Sequence, residues 1–285
     1  YQGCEHGCVY CFARPTHAYY GQSPGLDFET RLFAKQNAAE LLLKELAAPD
    51  YVVSPIAMGT NTDPYQPIER QHRITRSILK ALDGVSHPVG IVTKSTMILR
   101  DLDILSSMAA RGLVKVAISI TTLDRKLARA MEPRAATPGR RLEAIRQLAD
   151  AGIPVSVMAA PIIPGLNDHE IEKILMSAAA AGATNAGYIL LRLPLDVREI
   201  FQEWLEETYP DKAAKVMSLV KQARGGKTYD ATWGRRMRGV GPVAWAIGRR
   251  FELASSRAGF NRSQTRLRCD LFEAPLRKGA QLSLF

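Results

Sequence analysis

The sequence predicts an α/β fold built on a parallel sheet. Three observations lead there: five short apolar strand patterns, helical patterns between them, and Gly or Pro at most of the joints. Strands that alternate with helices join parallel neighbours by crossovers. The chain has 285 residues, enough for one large domain or one domain with an extension. A hydrophobic share of 46% supplies a core, and a charged share of 23% excludes a mainly disordered chain.

The elements follow in order. Helical spacing runs over 28–46 (Leu32, Phe33, Leu41, Leu42, Leu46). A short apolar run at 56–58 ends at Gly59, and 68–82 is helical again. Residues 89–93 form a β-branched strand, and 102–110 a helix stopped by Arg111-Gly112. Residues 114–120 read as a buried strand, and 138–151 as a helix with Gly152 past its end. A strand at 155–160 exits through Pro161 and Pro164. Asp168 is placed to cap a helix reaching Ala181, and 187–193 is the last strand. An α/β barrel, a partial barrel and an open doubly wound sheet all fit this order. In each, ligands gather at the C-terminal ends of the strands. Gly59, Ser119, Thr121 and Arg192 stand at or near those ends.

The net charge of +10 is uneven: residues 224–285 hold 13 basic and 4 acidic residues, leaving the first 223 nearly neutral. Arg235, Arg236 and Arg238 form one basic cluster, with Tyr229, Trp233 and Trp245 interleaved nearby. Arginines among aromatics suit phosphate contacts and base stacking, and equally a solvated basic face. The expected division is a core at 1–197, a helical basic extension at 198–275 and a tail at 276–285. No uncharged apolar run reaches the roughly 18 residues a membrane helix needs. The chain does not begin with Met, and its densest motif starts at residue 4. A true N-terminus carrying a first strand is therefore expected before Tyr1.

Three of the four cysteines fall in Cys4-Glu5-His6-Gly7-Cys8-Val9-Tyr10-Cys11, a C-x3-C-x2-C pattern. Such crowding points to a metal or redox site in a reducing compartment. An iron–sulfur cube normally takes four cysteines, so three leave one iron open for a ligand. A zinc site with His6 or Cys269 as fourth ligand is the main alternative.

This motif, with an aromatic before its last cysteine, resembles the radical S-adenosylmethionine (radical SAM) superfamily. Further matches, from residue 1 to about residue 195, are closest to its spore photoproduct lyase-like branch. The resemblance implies a partial (β/α)6 barrel, TIM-like, with a [4Fe–4S] cluster on Cys4, Cys8 and Cys11. It implies S-adenosylmethionine on the open iron, reductive cleavage to a 5′-deoxyadenosyl radical, and an electron donor such as flavodoxin or ferredoxin. Tyr10 would then lie near the adenine. The segment Gly59-Thr60-Asn61-Thr62-Asp63-Pro64-Tyr65-Gln66-Pro67 would meet the cofactor's methionine amino group, with Gly59, Asn61 and Asp63 as candidates. In Val92-Thr93-Lys94-Ser95, Lys94 would reach the carboxylate. Ser119 and Thr121 would hold ribose or carboxylate, and Arg134 of Glu132-Pro133-Arg134 is a second carboxylate candidate.

The lyase's hydrogen-donating cysteine has no counterpart in Met58-Gly59-Thr60-Asn61, and one phenol of its aromatic pair is replaced by Phe12. Tyr10 and Cys269 are the candidates left for catalysis, Cys269 being also readable as inert. The chain ends Gln281-Leu282-Ser283-Leu284-Phe285. This resembles the peptide with which bacterial repair and replication proteins bind the DNA sliding clamp, with Gln281, Leu282, Leu284 and Phe285 as contacts. The resulting expectation is a radical enzyme of the bacterial cytoplasm acting on damaged or modified bases in DNA. RNA or a small metabolite as substrate, and a non-catalytic iron–sulfur protein that binds DNA and the clamp, are the alternatives.

Overall fold

A computed structural model describes residues 1–263 and 266–276. Five strands form one all-parallel sheet: β1 (Ile56–Met58), β2 (Val89–Thr93), β3 (Val114–Ser119), β4 (Val155–Ile162) and β5 (Asn185–Leu190). Their spatial order is the chain order, 1-2-3-4-5. A doubly wound sheet would reverse direction at a switch point, whereas a barrel adds each strand beside the last. The architecture is therefore a partial α/β barrel, open between β1 and β5. Helix α1 (Ala38–Leu46) precedes β1, and the four crossovers carry α2 (Ile74–Gly84), α3 (Leu102–Ala110), α4 (Pro138–Asp150) and α5 (Ile171–Ala180).

Alternation sorts the strand residues. In β2, Val89 and Ile91 are buried in the main core, while half-buried Val92 faces a cavity inside the barrel. The core layer between sheet and helices is filled by Leu79, Leu82, Leu105, Met108, Ile145, Leu148 and Leu175. A second core holds the cysteine loop: Cys8 and Tyr10 pack with Met131, Ile163 and Leu191. Helices α6 (Val197–Thr208) and α7 (Pro210–Gln222) close it with Phe201, Leu205 and Val216. Pro210 at the first helical position starts α7 at no cost in hydrogen bonds. The last helix, α8 (Gly241–Arg257), packs on α5 and β5. Beyond it the chain runs back under the N-terminal ends of the strands, where Arg268 N–H donates to Gly112 O and Glu273 N–H to Val85 O.

Five expectations needed correction. The last strand is Asn185–Leu190 rather than 187–193, because its pairing with β4 begins at Asn185 opposite Ser156. Residues 28–46 are not one helix: after Asp27–Thr30 the chain extends, pairs Phe33 with Gln2, and only then enters α1. The apolar positions there serve the cysteine loop rather than a helix face, with Phe28 buried against Cys4. The pattern at 68–82 breaks at Arg73, whose φ is +52°, so that the Glu69 carboxylate can accept the Thr75 N–H at 3.0 Å. Asp168 does not cap α5; it accepts the Gly165 N–H at 2.7 Å, and a single 3-10 turn precedes the helix. Strand β4 continues past Pro161 to Ile162, because a register shift against β5 spares the missing N–H. Gln281, Leu282, Leu284 and Phe285 lie outside the described residues.

Candidate functional site

The cysteine loop crosses the C-terminal ends of the strands and is tied down by buried polar side chains. Arg14, 2% exposed, donates from Nε to Cys8 O (3.0 Å) and from Nη1 to Pro24 O and Gly25 O; its Nη2 pairs with Glu29. Gln66 accepts Glu5 N–H and donates to Gly3 O, both at 3.0 Å. Val9 N–H bonds Met131 O, and Arg134 N–H bonds His6 O. Each bond satisfies a loop peptide that burial would otherwise leave unpaired.

These ties place Cys4, Cys8 and Cys11 on one wall of a 540 Å³ cavity inside the barrel mouth. Gly59, Asn61, Asp63, Lys94 and Ser119 line it from the strand ends. Ile189, Leu190 and Arg192 form the far wall, with Arg236 and Met237 at the rim. A larger groove of 820 Å³ lies between β5 and α8, but it collects no cysteine. Gly59 has φ +87°, and a Cβ there would overlap Val92 O, so only glycine lets the first turn approach β2 this closely. Asp63 fastens that turn: it accepts Tyr65 N–H (2.9 Å), Thr93 Oγ1–H (2.6 Å) and Lys94 N–H (3.0 Å).

Lys94 Nζ reaches toward the cysteines, 3.4 Å from Cys8 Sγ and 3.0 Å from the Tyr10 hydroxyl. Behind it stands a fully buried carboxylate, Glu132, bonded by Tyr10 Oη–H, Thr121 Oγ1–H (2.6 Å) and the Arg141 guanidinium. Burial raises the Glu132 carboxyl, but Arg141 and Lys94 outweigh it and hold it well below the usual range. Burial likewise opposes charge on Lys94, yet Cys8, Tyr10 and Glu132 keep it well above the ordinary lysine value. Burial pushes the Cys8 thiol up to about 11, while Lys94 pulls it down. Cys4 is raised further by burial, then by Asp63 and the other two thiols. Thiols that raise one another need a cationic partner before they ionise together. A metal cluster is such a partner, so three free thiols facing an open cavity fit one.

Not every expected residue reaches the cavity. Thr121 stands behind its wall, bonding Glu132 and Ala160 O (3.0 Å). Arg134 is spent on the outside of the loop, on Glu5 O and the Glu29 carboxylate. Cys269 lies at the opposite, N-terminal end of the sheet with Pro55, Lys115 and Pro154, too remote to serve the cysteine wall as ligand or donor. His6 is buried with Nδ1 3.5 Å from Asp63 Oδ2, and no three His, Cys, Asp or Glu side chains among the described residues gather to hold a single ion. The basic trio diverges: Arg236 turns to the cavity, Arg238 stacks on Tyr188 in the outer groove, and Arg235 is exposed with its carbonyl bonded by Arg224.

Sequence reasoning assigned no role to Arg14, Gln66, Glu132, Arg141 and Arg224. Glu132 and Arg141 sit nine residues apart around a helix start, which is a usable signal. Arg14 and Arg224 act through backbone carbonyls, and Gln66 through the Gly3 carbonyl and the Glu5 N–H, contacts that leave no side-chain pattern in the sequence.

The radical SAM superfamily pattern matches residues 1–178, and the chain belongs to that superfamily. An uncharacterized protein of Mycobacterium tuberculosis is 38% identical over 224 residues, covering 78% of this chain and 66% of that protein. The chain thus spans just under two thirds of that relative. An uncharacterized protein of Methanocaldococcus jannaschii is 29% identical over 211 residues, covering 74% and 75% of the two chains. Among solved structures, a variant of spore photoproduct lyase superposes with TM-score 0.59 at 18% identity, covering 89% of this chain and 72% of that one. The same lyase complexed with dinucleoside spore photoproduct gives 0.57 at 18%, covering 91% and 73%. These likenesses establish the fold. Among the described residues no helix is long and apolar enough to cross a membrane.

Proposed function

We propose that this chain is a radical S-adenosylmethionine enzyme of the cytoplasm that acts on damaged or modified bases in DNA. The observation that carries the reading is the placement of Cys4, Cys8 and Cys11 on one wall of a cavity whose other walls are strand ends. Those three thiols would hold a [4Fe–4S] cluster and leave one iron free. The chemistry such a cluster supplies is one-electron cleavage of S-adenosylmethionine to a 5′-deoxyadenosyl radical, with the electron drawn from flavodoxin or ferredoxin.

The chain's own residues bind and orient. Lys94, held cationic by Glu132 and Tyr10, offers an ammonium for a carboxylate beside Cys8. Asn61 and the Gly59 turn offer polar and backbone contacts for an amino group, and Ser119 a hydroxyl at the end of β3. Asp63 already accepts three bonds, so it positions the turn rather than gripping a ligand. Thr121 orients Glu132, and Tyr10 keeps a phenol in the cavity wall. The basic C-terminal region and the structural likeness to a lyase solved with a dinucleoside photoproduct support DNA as the substrate class. The clamp-like peptide at 281–285 would bring the protein to replicating DNA.

The test is anaerobic. Protein reconstituted with iron and sulfide receives dithionite and S-adenosylmethionine, with and without ultraviolet-irradiated DNA, and 5′-deoxyadenosine is quantified by mass spectrometry. Product that rises with irradiated DNA is expected. Product indifferent to DNA moves the substrate to RNA or a metabolite. A bound cluster without product favours a non-catalytic binding protein.

A further inference from the structure

The wall facing the cysteines has a charge pattern that cofactor binding does not use. Arg192, at the end of β5, and Arg236, on the rim, both line the cavity. Neither has a carboxylate partner among the described residues, although other arginines of the chain are paired, such as Arg14, Arg76, Arg100 and Arg141. The Nε of Arg192 is buried without a hydrogen-bond partner, and its Nη1 meets only the soft Met237 sulfur at 3.7 Å. An unpaired guanidinium N–H away from water is costly unless a ligand completes it.

Both guanidinium groups are held by aromatic faces. Arg192 lies 4.4 Å over the Phe12 ring, and Arg236 lies 4.4 Å over the Trp233 ring. Stacking restrains the plane of a guanidinium and leaves its edge donors free for a fork of oxygens. The rim segment is itself fixed by Arg224, 2% exposed, which donates to Arg235 O, Arg236 O, Leu190 O and Leu191 O. That bonding sets the Arg236 backbone against the end of β5. Burial, and then the nearby charge of Arg192, hold the Arg224 guanidinium below its ordinary range. Asp230 offsets part of that charge at Arg224, yet no carboxylate among the described residues forms an ion pair with Arg192, Arg224 or Arg236. Beside it, Trp233 is 82% exposed.

We propose that Arg192 and Arg236 form a phosphate subsite on the cavity rim, which takes the phosphodiester beside the reacting nucleotide. The proposal rests on the DNA reading above and gives it an address. A phosphate there would satisfy two stacked guanidinium forks, while the attached base enters the cavity toward the cysteine wall. Trp233 offers an outward face for a neighbouring base. The exposed arginines of the extension would then add general affinity, and Arg192 and Arg236 would set position.

The test compares two probes by calorimetry on the reconstituted protein: thymidylyl-thymidine and its uncharged methylphosphonate analogue. The charged probe should bind about tenfold tighter, the size of one charge-assisted hydrogen-bond pair. Arg192→Gln and Arg236→Gln should each erase most of that preference, Arg192→Lys should restore part of it, and Arg146→Gln on the outer face of α4 should leave it unchanged. Equal affinity for the two probes, no binding of either, or a preference that survives both glutamine variants would overturn the subsite. The DNA reading fails separately: a retained charge preference with no response of cofactor cleavage to irradiated DNA sinks that reading and keeps the subsite.

Discussion

The two walls of the cavity differ in how their charges are settled. On the cysteine side the cations have carboxylates: Lys94 and Arg141 meet Glu132, and Arg14 meets Glu29. On the far side Arg192, Arg224 and Arg236 meet aromatic rings and carbonyl oxygens. The first wall is electrostatically complete apart from its thiols, and the second is not. A completed wall is a scaffold that holds its shape before ligand arrives. A wall of unpaired guanidinium groups instead draws its partner from outside.

This contrast can be broken by substitution. The largest effect is expected from Cys8→Ala, which should remove both the brown colour of the reconstituted cluster and cofactor cleavage; a coloured, active variant would refute the ligand assignment. Glu132→Gln comes next. It leaves Arg141 and Lys94 without their buried counter-charge, a loss of about 3–5 kcal/mol in denaturant titration. The pH dependence has a defined sign. The Glu132 carboxyl is held below its ordinary 4.5, so its contribution is complete above about pH 4.5 and fades as pH falls through the lower folded value. Denaturant midpoints between about pH 3 and pH 7 should show that slope in the parent and a reduced one in the glutamine variant.

On the far wall, Arg224→Met should cost about 2–3 kcal/mol, because four carbonyl bonds are lost together. It should also weaken the preference for the charged dinucleotide, and an unchanged preference would show that Arg224 does not place Arg236. Lys94→Met should keep the cluster colour and raise the dissociation constant for S-adenosylmethionine about tenfold, as loss of one charge-assisted contact requires. The smallest effect on chemistry belongs to removal of residues 281–285. Cofactor cleavage should be unchanged while binding to a purified bacterial sliding clamp disappears; binding that survives would end the clamp reading.

Local pattern made much of the barrel legible. Residues 89–93 and 102–110 coincide with β2 and α3, because β-branched alternation and a Gly stop are written within a few residues. The cysteine wall was legible for the same reason: its three cysteines lie within eight residues. Two helix boundaries were misread where an apolar residue serves a distant partner, as Phe28 does beside Cys4, or where a side chain captures a backbone N–H, as Glu69 does at Thr75. Arg192 could be placed at a strand end, but not its missing counter-charge, which depends on what the fold keeps away from it. Arg134 looked like a ligand from its motif, and only the path of the loop shows that it is used on Glu5 and Glu29.

The ties of the cysteine loop also set an order of assembly. Each strand pairs with the next one made, so the sheet can grow as the ribosome delivers it. The loop cannot keep that pace. Its anchors are Gln66, Met131 and Arg134, and Arg134 reaches back across 129 residues to Glu5. Closing so long a span waits on synthesis of the chain as far as Arg134. The three cysteines are therefore translated well before the anchors that fix them. During that interval their thiols are not yet held on one wall of the cavity.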